Sequence, residues 1–376
     1  MPTGQRWFEA ICGDRPALDA LQALLNSGFL PTSCRRRGGS LWIQLSSEVS
    51  SQHLSECLGA GVVVRSTSLP PLEEEPPGTD WIIRAVGIGH DLGAALAGIV
   101  ERLVSLSETV QLDLVEMKVW GENPVVLDIR VATEHGEEFS SHKPEIFEWG
   151  ESNGLCMLVQ RLTLFKRRKK LVCFDLDSTL VEQELIVEVA RKVGKERQVS
   201  TVTRAAMEGE MDYDRSFVHR VAMLRGVSVK DLEDVWYATT VTPGAHDLIS
   251  SLRGMGIKTC VISGAFSFFT ERARELFGLD FAIGNDIEVS DGILTGNVKG
   301  EIINGRIKVV KMREVAESVG ATLDDVVAVG DGANDVEIIK MAGTGIAYDR
   351  FQLVKPFADG LIPKGQLPRL LFLLRE

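Results

Sequence analysis

From Lys169 onward the chain repeats one device: a short apolar run stops abruptly at acidic, hydroxylated or glycine residues. Leu171-Val172-Cys173-Phe174 leads into Asp175-Leu176-Asp177-Ser178-Thr179. Val261-Ile262 leads into Ser263-Gly264-Ala265-Phe266, and Val326 to Val329 into Gly330-Asp331-Gly332-Ala333-Asn334-Asp335. Apolar runs of this kind, separated by stretches of helical periodicity, predict βα units and hence a parallel sheet. A parallel sheet places all its strand C-termini on one edge, so the three polar segments are expected to converge there. Extended backbone sends alternate side chains to the same side, so Asp175 and Asp177 are expected to point into the crevice together while Leu176 turns back to the core. Two carboxylates that close repel, so one keeps its proton or a cation lies between them.

Lys308 falls between the second and third segments. Together they hold a nucleophilic carboxylate, a second carboxylate for proton transfer, hydroxyl and amide donors, an ammonium group, and further acids for a divalent ion. That is an inventory for phosphoryl transfer.

These four segments, in this order, resemble the signature motifs of the haloacid dehalogenase superfamily of phosphohydrolases. Asp175 to Leu180 with Gly330 to Asp335 resemble its phosphoserine phosphatase branch, and the likeness runs from about Lys169 to the C-terminus. The resemblance implies a Rossmann-like α/β core at 169–376 with a small helical cap at about 184–241. It makes Asp175 the nucleophile and Asp177 the group that protonates the leaving oxygen and later activates water. Asp175, Asp177 through its carbonyl, and Asp331 are the implied Mg2+ ligands, with Asp335 supporting the metal or Lys308 from behind. Ser263, Gly264, Lys308 and Asn334 are the implied phosphate-binding set.

The same likeness puts a substrate-reading acid at Glu184 and an arginine at Arg220, with Met207 and Tyr213 as an apolar wall. A zwitterionic amino acid needs such a pair, a carboxylate for its ammonium and a guanidinium fork for its carboxylate. The chain departs from the family at Ala265, where a second glycine is usual, at Tyr213, where Phe is usual, and at Arg350-Phe351-Gln352. These departures touch pocket shape. The implied activity is hydrolysis of phosphoserine, ending serine biosynthesis. Two alternatives stay open: a phosphatase or phosphotransferase of this fold acting on another small phosphomonoester, and an amino-acid-sensing regulatory protein.

Composition narrows the partners. A net charge of −12 with 44% apolar residues describes a folded, acidic chain, which does not suit nucleic acid. The basic run Lys166 to Lys170 reads as a solvated linker. Six scattered cysteines without a C-x-x-C pair read as reduced core residues, and the histidines have no metal-ligand spacing. No apolar stretch approaches the roughly 18 residues of a membrane span, and Met1-Pro2-Thr3-Gly4 opens no signal-like pattern, so a cytoplasmic enzyme is expected.

Residues 1–68 read as βαββαβ: strands Trp7–Cys12, Pro31–Arg37, Leu41–Leu45 and Val62–Arg65, and helices Arg15–Leu25 and Ser50–Leu58. A stiff, charged linker follows at Pro70 to Gly78. The plan restarts over 79–166: strand Trp81–Val86, helix Leu92–Leu106, strands Val110–Val119 and Val125–Val131, a helix around Glu137–Glu151, and strand Leu155–Leu164. The two ferredoxin-like α+β units are similar to tandem ACT-type modules, which implies an amino-acid effector and, through edge-strand pairing, a homodimer. Gly87-Ile88-Gly89-His90-Asp91-Leu92-Gly93 misses the dinucleotide spacing by one residue and suits either a ligand loop of such a module or a plain tight turn.

Overall fold

The computed structural model describes the chain apart from residues 1–5, 12–16, 28, 30, 38–39, 46–49, 59–62, 68–78, 88–91, 111–112, 122–123, 134, 208–210, 350–352 and 376. The chain divides into two units, Met1–Lys166 and Arg167–Arg375.

In the first unit the plan βαββαβ occurs twice. Arg6–Ile11, Ala17–Asn26, Pro31–Arg37, Ser40–Leu45, Ser51–Leu58 and Val63–Thr67 form the first copy. Ser40–Leu45 shows the period of a one-sided strand: Leu41, Ile43 and Leu45 are buried while the residues between them are half-buried. The Ala17–Asn26 helix buries Ala20, Leu21, Leu24 and Leu25, a single stripe at helical spacing. The second copy runs through Thr79–Gly87, Leu92–Val110, Asp113–Trp120, Val125–Thr133, Gly136–Ser141 with Lys143–Ser152, and Cys156–Arg161. In each copy the fourth strand lies beside the first and the third lies between the first and second. The two second strands pair antiparallel, Ser33 opposite Lys118 and Arg35 opposite Glu116, which joins the copies into one sheet.

Three places in this unit differ from the sequence reading by more than the one or two residues seen at other element ends. Val110 ends a helix and the strand starts at Asp113. The helix expected around Glu137–Glu151 is two, the second restarting with Pro144 in its first turn, where a missing N–H costs nothing. The last strand stops at Arg161, because Leu162–Phe165 makes a helical turn that buries Leu162 and Phe165. The linker at 70–78 and residues 88–91 of the glycine-rich loop lie outside the described residues.

The second unit is built on a sheet in the order Ile293–Lys299, Phe281–Ser290, Lys258–Phe266, Leu171–Phe174, Val326–Gly330, Thr344–Tyr348, Gly360–Ile362. Only the first pair is antiparallel, a hairpin whose turn carries Asp291 at φ 50° and Gly292 at φ 76°. Every residue of Leu171–Phe174, Val326–Gly330 and Thr344–Tyr348 is buried. That is why these strands read as unbroken apolar runs: helices cover both faces of a parallel sheet. The six parallel strands, counted along the chain, stand in the order 3-2-1-4-5-6. Direction reverses between Leu171–Phe174 and Val326–Gly330, the crevice where such sheets bind ligands.

Helices Leu185–Lys192, Glu196–Met207, Tyr213–Met223 and Val229–Ala238 form an insert, closed at its base by a bridge between Val181 and Val241. Asp212 caps the third by accepting from Arg215 N, and Ser228 with Asp231 makes a reciprocal capping box on the fourth. The basic run is not a solvated linker throughout. Lys169 is buried, and Arg167 and Lys170 both pair with Asp325, at 3.0 and 3.1 Å.

Candidate active site

The strand Leu171–Phe174 ends before the Asp-x-Asp segment, so the two acids are presented by a turn and not by extended backbone. Leu176 is fully buried, and its carbonyl accepts from the amides of Thr179, Leu180 and Val181 at 3.2, 2.9 and 3.1 Å. Ser178 takes the left-handed conformation at φ 57°, a strained turn after which the amides of residues 179–181 fold back onto the Leu176 carbonyl. Asp175 N donates to Val329 O at 2.9 Å, which ties the first motif to the neighbouring strand.

Lys308 lies in the first turn of the Gly305–Ser318 helix and is 0% exposed. Its Nζ is 3.0 Å from Asp175 Oδ1 and donates to Asp335 Oδ1 at 2.7 Å. Asp335 reaches this point because Gly330 has no side chain: a Cβ there would overlap the Asp335 carboxylate. The Gly332 amide donates to Asp335 Oδ2 at 3.2 Å and fixes its rotamer. Carboxylate oxygens of Asp175, Asp331 and Asp335 lie within 4.8 Å of one another, all three residues buried. Asn334 Nδ2 is 3.5 Å from Asp175 Oδ2, at the limit of a hydrogen bond.

The acids outnumber the cation. Burial, then repulsion by Asp335 and Asp175, raises Asp331 well above the ordinary carboxylate range. Burial and Asp175 push Asp335 up to about 6 against the pull of Lys308. Burial, then Glu184 and Asp175, raises Asp177. Burial opposes charge on Lys308, and the surrounding acids outweigh it, so its affinity for a proton is higher than usual. Oδ1 of Asp177 is buried with no hydrogen-bond partner among the described residues. A cluster of hard oxygens with a surplus of negative charge and an orphaned oxygen beside it fits a small divalent cation.

Ser263, Gly264 and Ala265 lie within the Lys258–Phe266 strand, which continues past Ile262 where the sequence reading had the strand handing over to a loop. The register against Phe281–Ser290 slips between Ile262 and Phe266, a bulge that turns this backbone toward the crevice. Ser263 Oγ accepts from Ala265 N at 3.1 Å. Above it, Arg220 is 5% exposed, its guanidinium carbon 5.8 Å from the Tyr213 ring centroid and 5.7 Å from that of Phe217. Arg220 Nη1 donates to Thr203 Oγ1 at 3.2 Å. Glu184 stands before the first helix of the insert, 3.5 Å from Ser178 Oγ. Burial pushes Tyr213 up to about 12, and its hydroxyl presses on Gly264, where a Cβ would overlap it. One cavity is lined by Asp175, Asp177, Asp331 and Asn334 below and by Glu184, Tyr213 and Arg220 above, with Ser263 and Gly264 to one side. Lys308 sits behind Asp175, and Met207 closes the second helix of the insert with its side chain outside the described residues.

Three residues of this surround had not been singled out in the sequence. Thr179 Oγ1 donates to Asp331 Oδ1 at 3.3 Å, and Thr203 orients Arg220. Asn285, 0% exposed, donates to Gly264 O and accepts from Ile303 N, both at 2.8 Å. A polar residue at the apolar start of a strand was the available signal for Asn285. For the two threonines there was none beyond proximity along the chain.

A sequence model of the family described as haloacid dehalogenase-like hydrolase matches residues 172–340. A phosphoserine phosphatase of Archaeoglobus fulgidus is 43% identical over 225 residues, 60% of this chain and 65% of the relative. One from Methanocaldococcus jannaschii is 39% identical over 206 residues, 55% of this chain and 98% of the relative. Among solved structures, a HAD family hydrolase from Salmonella enterica serovar Typhi is similar at a TM-score of 0.65 and 28% identity, covering 79% of this chain and 99% of that one. A substrate-bound phosphoserine phosphatase complex is similar at 0.54 and 38%, covering 56% and 100%. With the acids, the buried lysine and the bulged serine-glycine segment gathered at the switch point, and with a relative matched along nearly its whole length, the chain belongs to the haloacid dehalogenase-like hydrolase family.

Proposed function

We propose that this chain hydrolyses O-phospho-L-serine to L-serine and phosphate, as a Mg2+-dependent phosphatase ending serine biosynthesis. The observation that carries the reading is the division of one cavity: a phosphoryl end at Asp175, Asp331 and Ser263, and an amino-acid end at Glu184 and Arg220. A phosphoserine laid between them meets a carboxylate for its ammonium and a guanidinium for its carboxylate. The named relatives act in support of the same substrate.

In this reading the Asp175 carboxylate attacks phosphorus and forms an aspartyl-phosphate while the serine oxygen leaves. Asp177, kept protonated by burial and by Glu184 and Asp175, gives its proton to that oxygen. It then takes a proton from the water that attacks the phosphoenzyme. Ser263, the Gly264 amide, Lys308 and Asn334 hold the phosphoryl oxygens where charge develops. Asp175, the Asp177 carbonyl and Asp331 would hold Mg2+, with Asp335 behind them, and the ion neutralises the phosphate when bound. Arg220, packed on Tyr213 and Phe217 and held by Thr203, presents a fixed fork to the substrate.

Steady-state turnover on phosphoserine, phosphothreonine, phosphoethanolamine and sugar phosphates tests the assignment. Phosphoserine should be preferred, and preference for any other would move the chain to the second reading, a phosphomonoesterase of different specificity. Tyr213 and Ala265 are what favour keeping that reading, since both alter the pocket wall. We also read the βαββαβ pair as ACT-type modules that take an amino-acid effector and form a homodimer. We read the setting as cytoplasmic from the scattered cysteine pattern of the sequence; among the described residues no helix is long and apolar enough to cross a membrane.

A further inference from the structure

Asn304 stands at the junction of three parts of the catalytic unit. Its Oδ1 accepts from Ile307 N at 3.0 Å and so caps the helix that carries Lys308 one turn later. Its Nδ2 donates to both carboxylate oxygens of Asp214, at 2.9 and 3.2 Å. Asp214 lies in the first turn of the Tyr213–Met223 helix of the cap, next to Tyr213 and on the element that carries Arg220. Just before Asn304, the Ile303 amide donates to Asn285, which in turn donates to the Gly264 carbonyl. Hydrogen bonds joined by the Ile303–Asn304 peptide bond therefore connect the phosphate-side backbone at Gly264, through Asn285, to the cap helix.

We propose that Asn304 is a positioning residue that latches the cap, holding Arg220 and Tyr213 over the phosphoryl end of the cavity while it fixes the helix of Lys308. The proposal rests on the substrate reading above only for its kinetic arm. A latch acts on the fraction of molecules whose cap is closed. Substrate that binds only the closed form then shows an affinity reduced by that fraction, while saturating substrate restores closure. Loss of the latch therefore raises KM and spares kcat.

The helix cap and the latch use different atoms of one side chain, so they can be separated. Asn304→Asp keeps an acceptor for Ile307 N, and Asp caps as well as Asn. It also sets a carboxylate against the Asp214 carboxylate, which repels it. Adding Asp214→Asn restores an amide-to-carboxylate pair with the donor on the other side. We expect Asn304→Asp to raise KM for phosphoserine roughly tenfold, with kcat within about twofold. Amide hydrogen exchange over residues 213–223 should quicken in the same variant, and the double variant should return both readings toward wild type. Asp214→Ala should move both in the same direction, which covers failure of Asn304→Asp to fold. An unchanged KM and exchange in Asn304→Asp, or a double variant no better than the single one, would overturn the latch. Wild-type protein that ignores phosphoserine would sink the substrate assignment instead, and the exchange comparison would still decide the latch.

Discussion

Gly264→Ala gives a sharp test of how the cap meets the phosphate-side backbone. A Cβ built on Gly264 overlaps the Tyr213 hydroxyl oxygen, yet lies 3.4 Å from the ring carbon that bears it. The obstruction is thus one oxygen atom. Overpacking of a closed site costs about 1–3 kcal/mol, and a shift of about 1 Å in a phosphate-holding group costs about 100-fold in rate. We expect Gly264→Ala alone to lower kcat/KM for phosphoserine about 100-fold and the melting temperature by a few degrees. Tyr213→Phe alone should remain within a few fold of wild type, because the ring keeps its packing against Phe217. Combined, the two changes leave the new methyl in ordinary contact with a ring edge, so kcat/KM should recover to within about tenfold of wild type. The measurement is a double-mutant cycle on kcat/KM and on melting temperature. If the double variant is as impaired as Gly264→Ala, the methyl harms something other than the Tyr213 contact and the reasoning fails.

Lys308→Met should lower kcat by about 1,000-fold or more and destabilise the fold by about 3 kcal/mol, since it leaves Asp175 and Asp335 buried without their cation; turnover and chemical denaturation check both. Arg220→Lys should raise KM for phosphoserine roughly tenfold by loss of the planar fork, and should leave hydrolysis of p-nitrophenyl phosphate, which has no amino-acid end, nearly unchanged. Burial alone would raise Asp325, but the Thr322 amide, Lys170 and Arg167 outweigh it and hold it at about 2. Its stabilisation is therefore complete above about pH 4 and is lost as pH falls through about 2, on the order of 2 kcal/mol, a slope that Asp325→Asn should remove from denaturation curves. Chelation of divalent ions should abolish binding of inorganic phosphate, measured calorimetrically, because the acid cluster then faces an anion with Lys308 alone to offset it.

The site draws on four separate stretches of chain, and its acids outnumber its buried lysine. Lys308 pairs with Asp175 and Asp335, yet Asp335, Asp331 and Asp177 all keep raised proton affinities. Asp175 has Lys308 on one side and the cavity on the other, while burial, Glu184 and Asp175 raise the proton affinity of Asp177, 2 residues away in sequence. The two acids have different neighbours, Lys308 at 3.0 Å from Asp175 and Glu184 beside Asp177.

Much of this arrangement was legible because a parallel sheet leaves little freedom: fully buried strands must read as apolar runs, and their ends must share an edge. Asp175, Ser263 and Asp331 could therefore be brought together from spacing alone. The turn at Ser178 could not, since serine rarely adopts positive φ and nothing in its type announces the strain. Nor could the bulge at Ser263, where a strand passes through the motif, because alternation does not reveal extra residues in the pairing. The polar bridges Thr179 to Asp331, Asn285 to Gly264 and Asn304 to Asp214 escaped for a related reason. Each joins residues 21 to 152 positions apart through one or two hydrogen bonds. Asn, Thr and Asp serve equally well on solvated surfaces, so their types carry no signal until the fold sets them beside a buried partner. Periodicity records which face of an element is dry, and a hydrogen bond between single polar side chains of distant elements leaves no trace in it.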